Sequence, residues 1–288
     1  MASNTINVGI DLGTVNSSLA VWHGGDAKVV QNKAGSMITP SAVWADRRCN
    51  IRVGEEAKKR ALGNDPDNAW VEFKLLLGLG DDARKNFVRC ETSMAPEEAS
   101  AEILKSLKTD YQTSSGNELR AAVITVPAAF ENAATAATGR AAKLAGLEHS
   151  PLLLEPVAAS LAYGLQSQAE NVYWLVYDFG GGTFDAAVMR VRDGFIDVVS
   201  HEGNNHLGGK LIDWDIVTDR LVPSLTGQFN LPDFRRGSER WAQALGRLKY
   251  EAERAKIEVA RTRNEYEIWI EGLCQDDDGK DVDVEYIL

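Results

Sequence analysis

Positive charge is what this 288-residue chain is short of: 31 Lys and Arg stand against 42 Asp and Glu, a formal net charge of −11. A surface this acidic lacks the basic stripe that nucleic acid or an anionic membrane requires, so neither is expected as a broad partner. Long apolar runs are missing as well, none reaching the ~20 residues of a membrane span. The start, Met1-Ala2-Ser3-Asn4-Thr5-Ile6-Asn7, has no basic region followed by an apolar core. A cytoplasmic protein is expected. Cysteine is scarce: Cys49, Cys90 and Cys274 are odd in number, widely spaced and form no CxxC. That pattern predicts idle thiols in a reducing compartment rather than a disulfide or a metal site. His23, His149, His201 and His206 show no metal-ligand spacing. The chain has no GxGxxG opening a helix after a strand, no GxSxG and no HExxH. Gly203 to Lys210 approaches a P-loop, but its lysine is one place late and Leu211 replaces the Ser or Thr.

What is there begins with Asp178-Phe179-Gly180-Gly181-Gly182-Thr183-Phe184-Asp185. An apolar run from Val172 leads in and Ala186 to Met189 leads out, which reads as strand, glycine turn, strand. Three glycines strip the turn of Cβ atoms, so backbone N–H groups can converge on an anion such as phosphate. The aspartates suit a hard cation and Thr183 adds a hydroxyl. A plain hairpin explains this window equally well by itself. A second copy, Val8-Gly9-Ile10-Asp11-Leu12-Gly13-Thr14 leading into Ser18 to Trp22, changes the balance. Asp11 and Asp178 are too far apart for one local motif. The repeat suggests two similar lobes, each giving a carboxylate and a phosphate hairpin to a shared cleft.

At 44% hydrophobic and 25% charged residues, the chain has enough apolar material for two cored domains. Pro96-Glu97-Glu98 opens a helix with apolar Ala99, Ile103, Leu104 and Leu107 at helical spacing. Ala121 to Val126 is a strand, Asn132 to Ala145 an alanine-rich helix, Leu152 to Leu154 a strand and Val157 to Leu165 a helix. This alternation predicts an α/β fold. Gln166 to Asn171 is the expected junction, dividing lobe I (residues 1–170) from lobe II (residues 171–288). Beyond it, Phe195 to Val199 is a strand, His201 to Gly209 a loop, Leu211 to Leu225 a helix and Ser238 to Ala260 a long helix. Lys74, set among Phe73, Leu75, Leu76 and Leu77, has two readings. Its stem packs while its head reaches water, or it aims a cation into the cleft.

The chain resembles the ATPase domain of the 70-kDa heat-shock chaperones, the DnaK family of the actin-like superfamily. Gly9 to Thr14 with Asn16-Ser17, Ile38 to Ser41, Phe73-Lys74 with Leu77-Gly78, and Ile124 to Phe130 carry the likeness. So do Glu155-Pro156 with Ala162 to Leu165, Asp178 to Asp185, His206 to Gly209, and Glu253 to Lys256. The resemblance implies two ribonuclease-H-like lobes with a nucleotide cleft between them, the second lobe incomplete. It implies Mg²⁺-dependent binding and hydrolysis of ATP to ADP, weak in so short a chain, that drives protein folding in the full-length protein. Asp11, Glu155 and Asp178 would hold the metal through its water shell. Lys74, Glu155, Asp178 and Thr183 would carry the catalysis. Gly13, Thr14, Val15, Asn16, Gly180, Gly181, Gly182, Gly208 and Gly209 would contact phosphates, while Glu253 and Lys256 would contact the ribose. Co-chaperones or nucleotide-exchange proteins are the implied partners, with no client-peptide site within the chain. Ile257 and Ala260, where the family usually has a basic residue and a serine, depart from the pattern, as does Lys210-Leu211. Two alternatives stand beside this reading: a non-catalytic nucleotide-sensing or partner-docking module, and a small-metabolite kinase of the same superfamily.

Overall fold

A computed structural model describes residues 6–164, 172–192 and 195–288. The junction expected at Gln166 to Asn171, and the helix end at Leu165, lie outside the described residues. The fold is mixed α/β, with several sheets and helices between them. The chain divides into two compact units, residues 1–58 with 67–208, and residues 59–66 with 209–288.

In the first unit the central strand is Val8–Leu12. Its apolar residues Val8, Ile10 and Leu12 alternate with Gly9 and Asp11, and the former face the core. It runs parallel to Val123–Val126, with Ile10 opposite Ile124, and antiparallel to Asn16–His23, with Asp11 opposite Ser18. Leu152–Leu154 extends the sheet in parallel on the far side of Val123–Val126. Helix Pro96–Ser115 lays Ala99, Ile103, Leu104 and Leu107 into this core. Its first turn is fixed by Pro96 and by Glu98, whose carboxylate accepts the Ala95 N–H at 2.7 Å. Helix Asn132–Leu144 presents Ala134, Ala137, Ala141 and Ala142 as its buried face, side chains small enough for a neighbour to approach closely.

A second sheet in the same unit joins Val172–Phe179, Phe184–Arg192 and Phe195–Asn204, all antiparallel. The last strand corrects the expected loop. His201 to Asn204 are strand, because Phe184–Ala187 supplies a ladder for them, with Ala187 opposite His201 and Phe184 opposite Asn204. Their polar side chains carry no apolar alternation, yet backbone pairing needs none when those side chains are exposed.

In the second unit, helix Ala242–Thr262 buries Leu245, Leu248, Ala252 and Ala255 against Leu221, Ile268, Ile270, Val282 and Val284. The strands Glu267–Gln275 and Asp281–Ile287 pair antiparallel. The helix expected over Leu211 to Leu225 is three pieces, Gly209–Ile216, a π-turn at Val217–Leu221, and Val222–Thr226 with Pro223 in its first turn. Proline has no N–H for the helix ladder, so the widened turn before it absorbs the mismatch.

The cysteines also correct the expectation. Cys49 and Cys90 form a disulfide, Cα atoms 5.6 Å apart and 41 positions apart in sequence. Spacing along the chain carried no sign of it, because the turn holding Cys49 and the 3₁₀ turn holding Cys90 meet only in the fold. Cys274 is free and half-buried, and burial pushes its thiol up. No helix among the described residues is long and apolar enough to cross a membrane.

Candidate functional site

Both glycine turns belong to the first unit. The first is held from behind: Ser41 Oγ donates to Gly13 O at 2.7 Å, Ser41 N–H donates to Val15 O at 2.8 Å, and Ser17 and Ser41 hydroxyls lie 2.9 Å apart. The second is closed by Gly180 N–H donating to Thr183 O at 2.9 Å. The two turns abut. A Cβ added at Gly181 would stand 2.4 Å from Val15 Cγ2, and one at Gly182 would stand 2.7 Å from Thr14 Cγ2. One added at Gly208 would strike the backbone of Gly180, Gly181 and Gly182 at 2.7–2.8 Å. Close approach is what favours glycine at these positions, to side chains at Gly181 and Gly182 and to backbone at Gly208. Thr14 and Thr183 are buried at this meeting point.

Beside the turns stands a charged cluster. Lys74 is 4% exposed, and its Nζ donates to Glu155 Oε1 at 2.9 Å, so the reading in which its head reaches water is overturned. The 3₁₀ turn Phe73–Leu76 swings the stem inward, after Glu72 takes a left-handed conformation with φ 61°. The ammonium also lies over the Phe130 ring, 5.5 Å from its centroid. Glu155 is the first residue of helix Glu155–Gly164. Burial pushes its carboxyl above the ordinary range; Lys74 opposes the rise, and Asp11 and Asp178 add to it. Asp178 is raised by burial and then by Asp11, again against Lys74. Asp11 is positioned by Thr125, whose hydroxyl donates to Asp11 Oδ1 at 3.1 Å. The cluster is therefore one cation among three mutually repelling carboxylates. Repulsion of this kind is what an added cation would relieve.

The structure thus brings together Asp11, Gly13, Thr14, Val15, Asn16, Lys74, Glu155, Asp178, Gly180, Gly181, Gly182, Thr183 and Gly208 within one unit. Gly209, Glu253 and Lys256 belong to the other. There, Lys256 Nζ pairs with Asp213 Oδ1 at 2.6 Å and donates to Gly209 O at 2.9 Å, while Glu253 is buried on the same helix. Among the described residues no group of three His, Cys, Asp or Glu side chains stands close enough to hold a metal ion directly.

In the sequence Asp185 stands only as one of the two aspartates suited to a hard cation, with no site role of its own. It is 2% exposed, sits opposite Asp178 in the hairpin, and leaves Oδ1 without a hydrogen-bond partner. Burial raises its carboxyl and Asp178 raises it further, while the Ala129 N–H, His201 and Lys74 lower it. The signal was its period-two placement relative to Ala187 and Met189, which puts it on the buried face. Phe130, Ser41 and Thr125 were seen in the sequence without a role. A cavity of about 200 Å³ opens next to the cluster, lined by Lys74, Leu77, Gly78, Ala129, Phe130 and Asn205 among others.

Residues 7–286 match the family model described as Hsp70 protein. The chain is 38% identical over 260 residues to the chaperone protein DnaK of Mycoplasmoides gallisepticum, a match covering 90% of this chain and 42% of that protein. It is 41% identical over 260 residues to the chaperone protein DnaK of Thermotoga neapolitana, covering 88% and 41%. With the chaperone protein dnaK of Gracilaria tenuistipitata var. liui it shares 39% over 274 residues, covering 88% and 43%. The chain thus spans about two fifths of the length of the curated relatives it matches, and by a family match that runs across both of its compact units it belongs to the Hsp70 family.

Proposed function

We propose that the chain binds ATP and hydrolyses it to ADP, as the nucleotide-binding part of a DnaK-type chaperone in the cytoplasm. The observation that carries this is the abutment of the two glycine turns, Gly181 on Val15 and Gly182 on Thr14, beside the buried Lys74–Glu155 pair. Two backbone cradles meeting at one point make a site for a polyphosphate on a protein whose net charge of −11 repels one elsewhere. The duplicated hairpin supports reading the α/β fold as two ribonuclease-H-like repeats of the actin-like ATPase kind.

In this reading the N–H groups of both turns, with the Thr14 and Thr183 hydroxyls, bind the terminal phosphates. Lys74 offsets charge on the transferring phosphoryl group and orients the attacking water. Asp178, its carboxyl raised by burial, accepts that water's proton at a carboxylate oxygen. Glu155 fixes the Lys74 ammonium, and Asp185 bears on Asp178 through its charge. Asp11, Glu155 and Asp178 fit Mg²⁺ held through its water shell, since they gather charge without forming a direct ligand set, and Mg²⁺ gives up water reluctantly. Mg²⁺ would neutralise phosphate charge. Positioning and electrostatics suffice for phosphoryl transfer to water, with no covalent step on the protein.

A second reading, a nucleotide sensor that does not turn over, is favoured by Lys256, whose ammonium is engaged by Asp213 and the Gly209 carbonyl. Calorimetric titration with ATP, with and without Mg²⁺, followed by phosphate release from the chain and from Lys74→Ala, separates the two. We expect Mg²⁺ to strengthen binding and Lys74→Ala to abolish release while retaining ATP. Binding without release by the intact chain supports the sensor. No heat from a folded sample at high ATP defeats both. Co-chaperones or exchange partners would act on this nucleotide cycle.

A further inference from the structure

Cys49 and Cys90 take no part in the proposed chemistry, yet they join two segments that hold the approach to Lys74. Cys49 is exposed on a turn that keeps itself together. The Asp46 carboxylate accepts the N–H groups of Arg48 and Asn50 at 2.8 and 3.0 Å, and Cys49 N–H donates to Asp46 O at 2.9 Å. Cys90 is half-buried at the end of the 3₁₀ turn Val88–Cys90. Next to it, Arg89 N–H donates to Asn68 Oδ1 at 2.7 Å, and the Arg89 guanidinium donates to Ala45 O at 2.8 Å. Asn68 is buried and ends the 3₁₀ turn Pro66–Asn68 that feeds strand Ala69–Val71. That strand pairs with Ala42–Trp44 and runs directly into the left-handed Glu72 and the turn bearing Lys74. One covalent bond therefore pins the Arg89 segment to the turn beyond Ala42–Ala45, and Arg89 pins Asn68.

We propose that Cys49 and Cys90 are a redox modification site, a reversible disulfide whose closed state orders the Asn68-to-Lys74 segment. The oxidant is a small disulfide such as oxidised glutathione. The thiolate of exposed Cys49 attacks one sulfur of that disulfide and expels a thiolate, leaving a mixed disulfide on Cys49. The Cys90 thiolate then attacks the Cys49 sulfur and expels the second small thiolate. Two cysteine thiols are oxidised, one disulfide is reduced to two thiols, and the two protons lost by the cysteines end on those products. Any consequence for ATP turnover rests on the role proposed for Lys74; the redox change and the ordering do not.

The test is a glutathione series on the folded chain, counting maleimide-reactive thiols by mass, with amide hydrogen exchange over residues 68–74 at each end of the series. We expect one reactive thiol, Cys274, at oxidising ratios and three at reducing ratios. Exchange over 68–74 should be about fivefold or more faster in the reduced chain, as expected for local opening of a released segment. Cys274→Ser should leave that response unchanged, and Cys49→Ser should resemble the reduced chain; if that variant does not fold, the reduced chain itself carries the comparison. Three reactive thiols at every ratio would overturn the site. A bond that no ratio opens makes it a static brace, and equal exchange in the two states removes the ordering; either result overturns the switch. Loss of turnover in Lys74→Ala tests the ATPase reading separately.

Discussion

Replacing Lys74 with methionine keeps the stem and removes the charge, leaving Glu155 buried with Asp11 and Asp178 as its charged neighbours. Lys74 and Glu155 side chains are 5% and 14% exposed, so solvent screens little of the loss. Breaking a buried pair of this kind costs ~3–5 kcal/mol when the orphaned charge must persist. Glu155 has an escape, because it can take up a proton. From an ordinary value of 4.5, holding a carboxyl protonated at pH 7 costs about 3.4 kcal/mol, at 1.36 kcal/mol per pH unit. That figure is the ceiling on the electrostatic penalty at pH 7, since the carboxyl is already raised in the intact protein. The sign follows. A raised carboxyl lets the folded state keep a proton that the unfolded chain has released, so stability is fullest below 4.5 and is lost as pH rises through the folded value. In Lys74→Met the folded value rises further, the lossy window widens, and the penalty falls by about 1.4 kcal/mol per unit of acidification, to roughly 0.7 kcal/mol at pH 5. Urea unfolding at pH 5, 6 and 7, read from exchange protection of the Ile10 and Ile124 amides, isolates the first unit. Adding Glu155→Gln should recover most of the pH 7 loss. An equal loss at pH 5 and pH 7, or no recovery in the double variant, would refute the reasoning.

Gly181→Ala should weaken ATP binding at least tenfold and cost ~1–3 kcal/mol of stability, because the new methyl meets Val15 at 2.4 Å; titration calorimetry and urea unfolding measure the two effects. Pairing it with Val15→Ala should restore stability more than affinity. Asp185→Asn removes a carboxyl raised by burial and by Asp178, whose contribution is lost as pH rises above 3.8. The variant should gain roughly 1 kcal/mol at pH 7 and show a flatter stability profile between pH 4 and 7, with phosphate release reduced. In the second unit, Lys256→Met strands Asp213, which is 3% exposed and already raised by burial, and should cost ~3 kcal/mol at pH 7 by exchange protection of Leu248.

Much of this site could be read from local pattern because its parts are local devices. Alternating apolar residues around Asp11 and an apolar run before Asp178, with glycine at the turns, encode hairpins whatever surrounds them. The helices Pro96–Ser115 and Asn132–Leu144 declare themselves through proline, acidic first-turn residues and alanine faces. What could not be read is how separate devices meet. Lys74 and Glu155 are 81 positions apart, and nothing near either residue chooses between a lysine head in water and one on a buried carboxylate. Cys49 and Cys90 fail for the same reason. His201 to Asn204 were missed because an exposed strand borrows its ladder from a neighbour and owes nothing to its own polarity.

Asp185 marks the boundary between the two kinds of information. Its position in the strand Phe184–Arg192 puts it on the buried side with Ala187 and Met189, so burial was legible. Its partners were not, because register decides them. Pairing sets Asp185 opposite Asp178 on one neighbour and opposite Gly203 on the other, where an added Cβ would come within 2.5 Å of Oδ1. A side chain at position 203 would therefore contest the space that this carboxylate occupies. The strand that takes the place of the expected loop's first residues thus keeps room for a buried charge, and buried charge at a phosphate cradle is where function concentrates. The misread loop and the unforeseen contact of Asp185 with Gly203 have one cause: both depend on how far the strand that starts at Phe195 pairs along the hairpin.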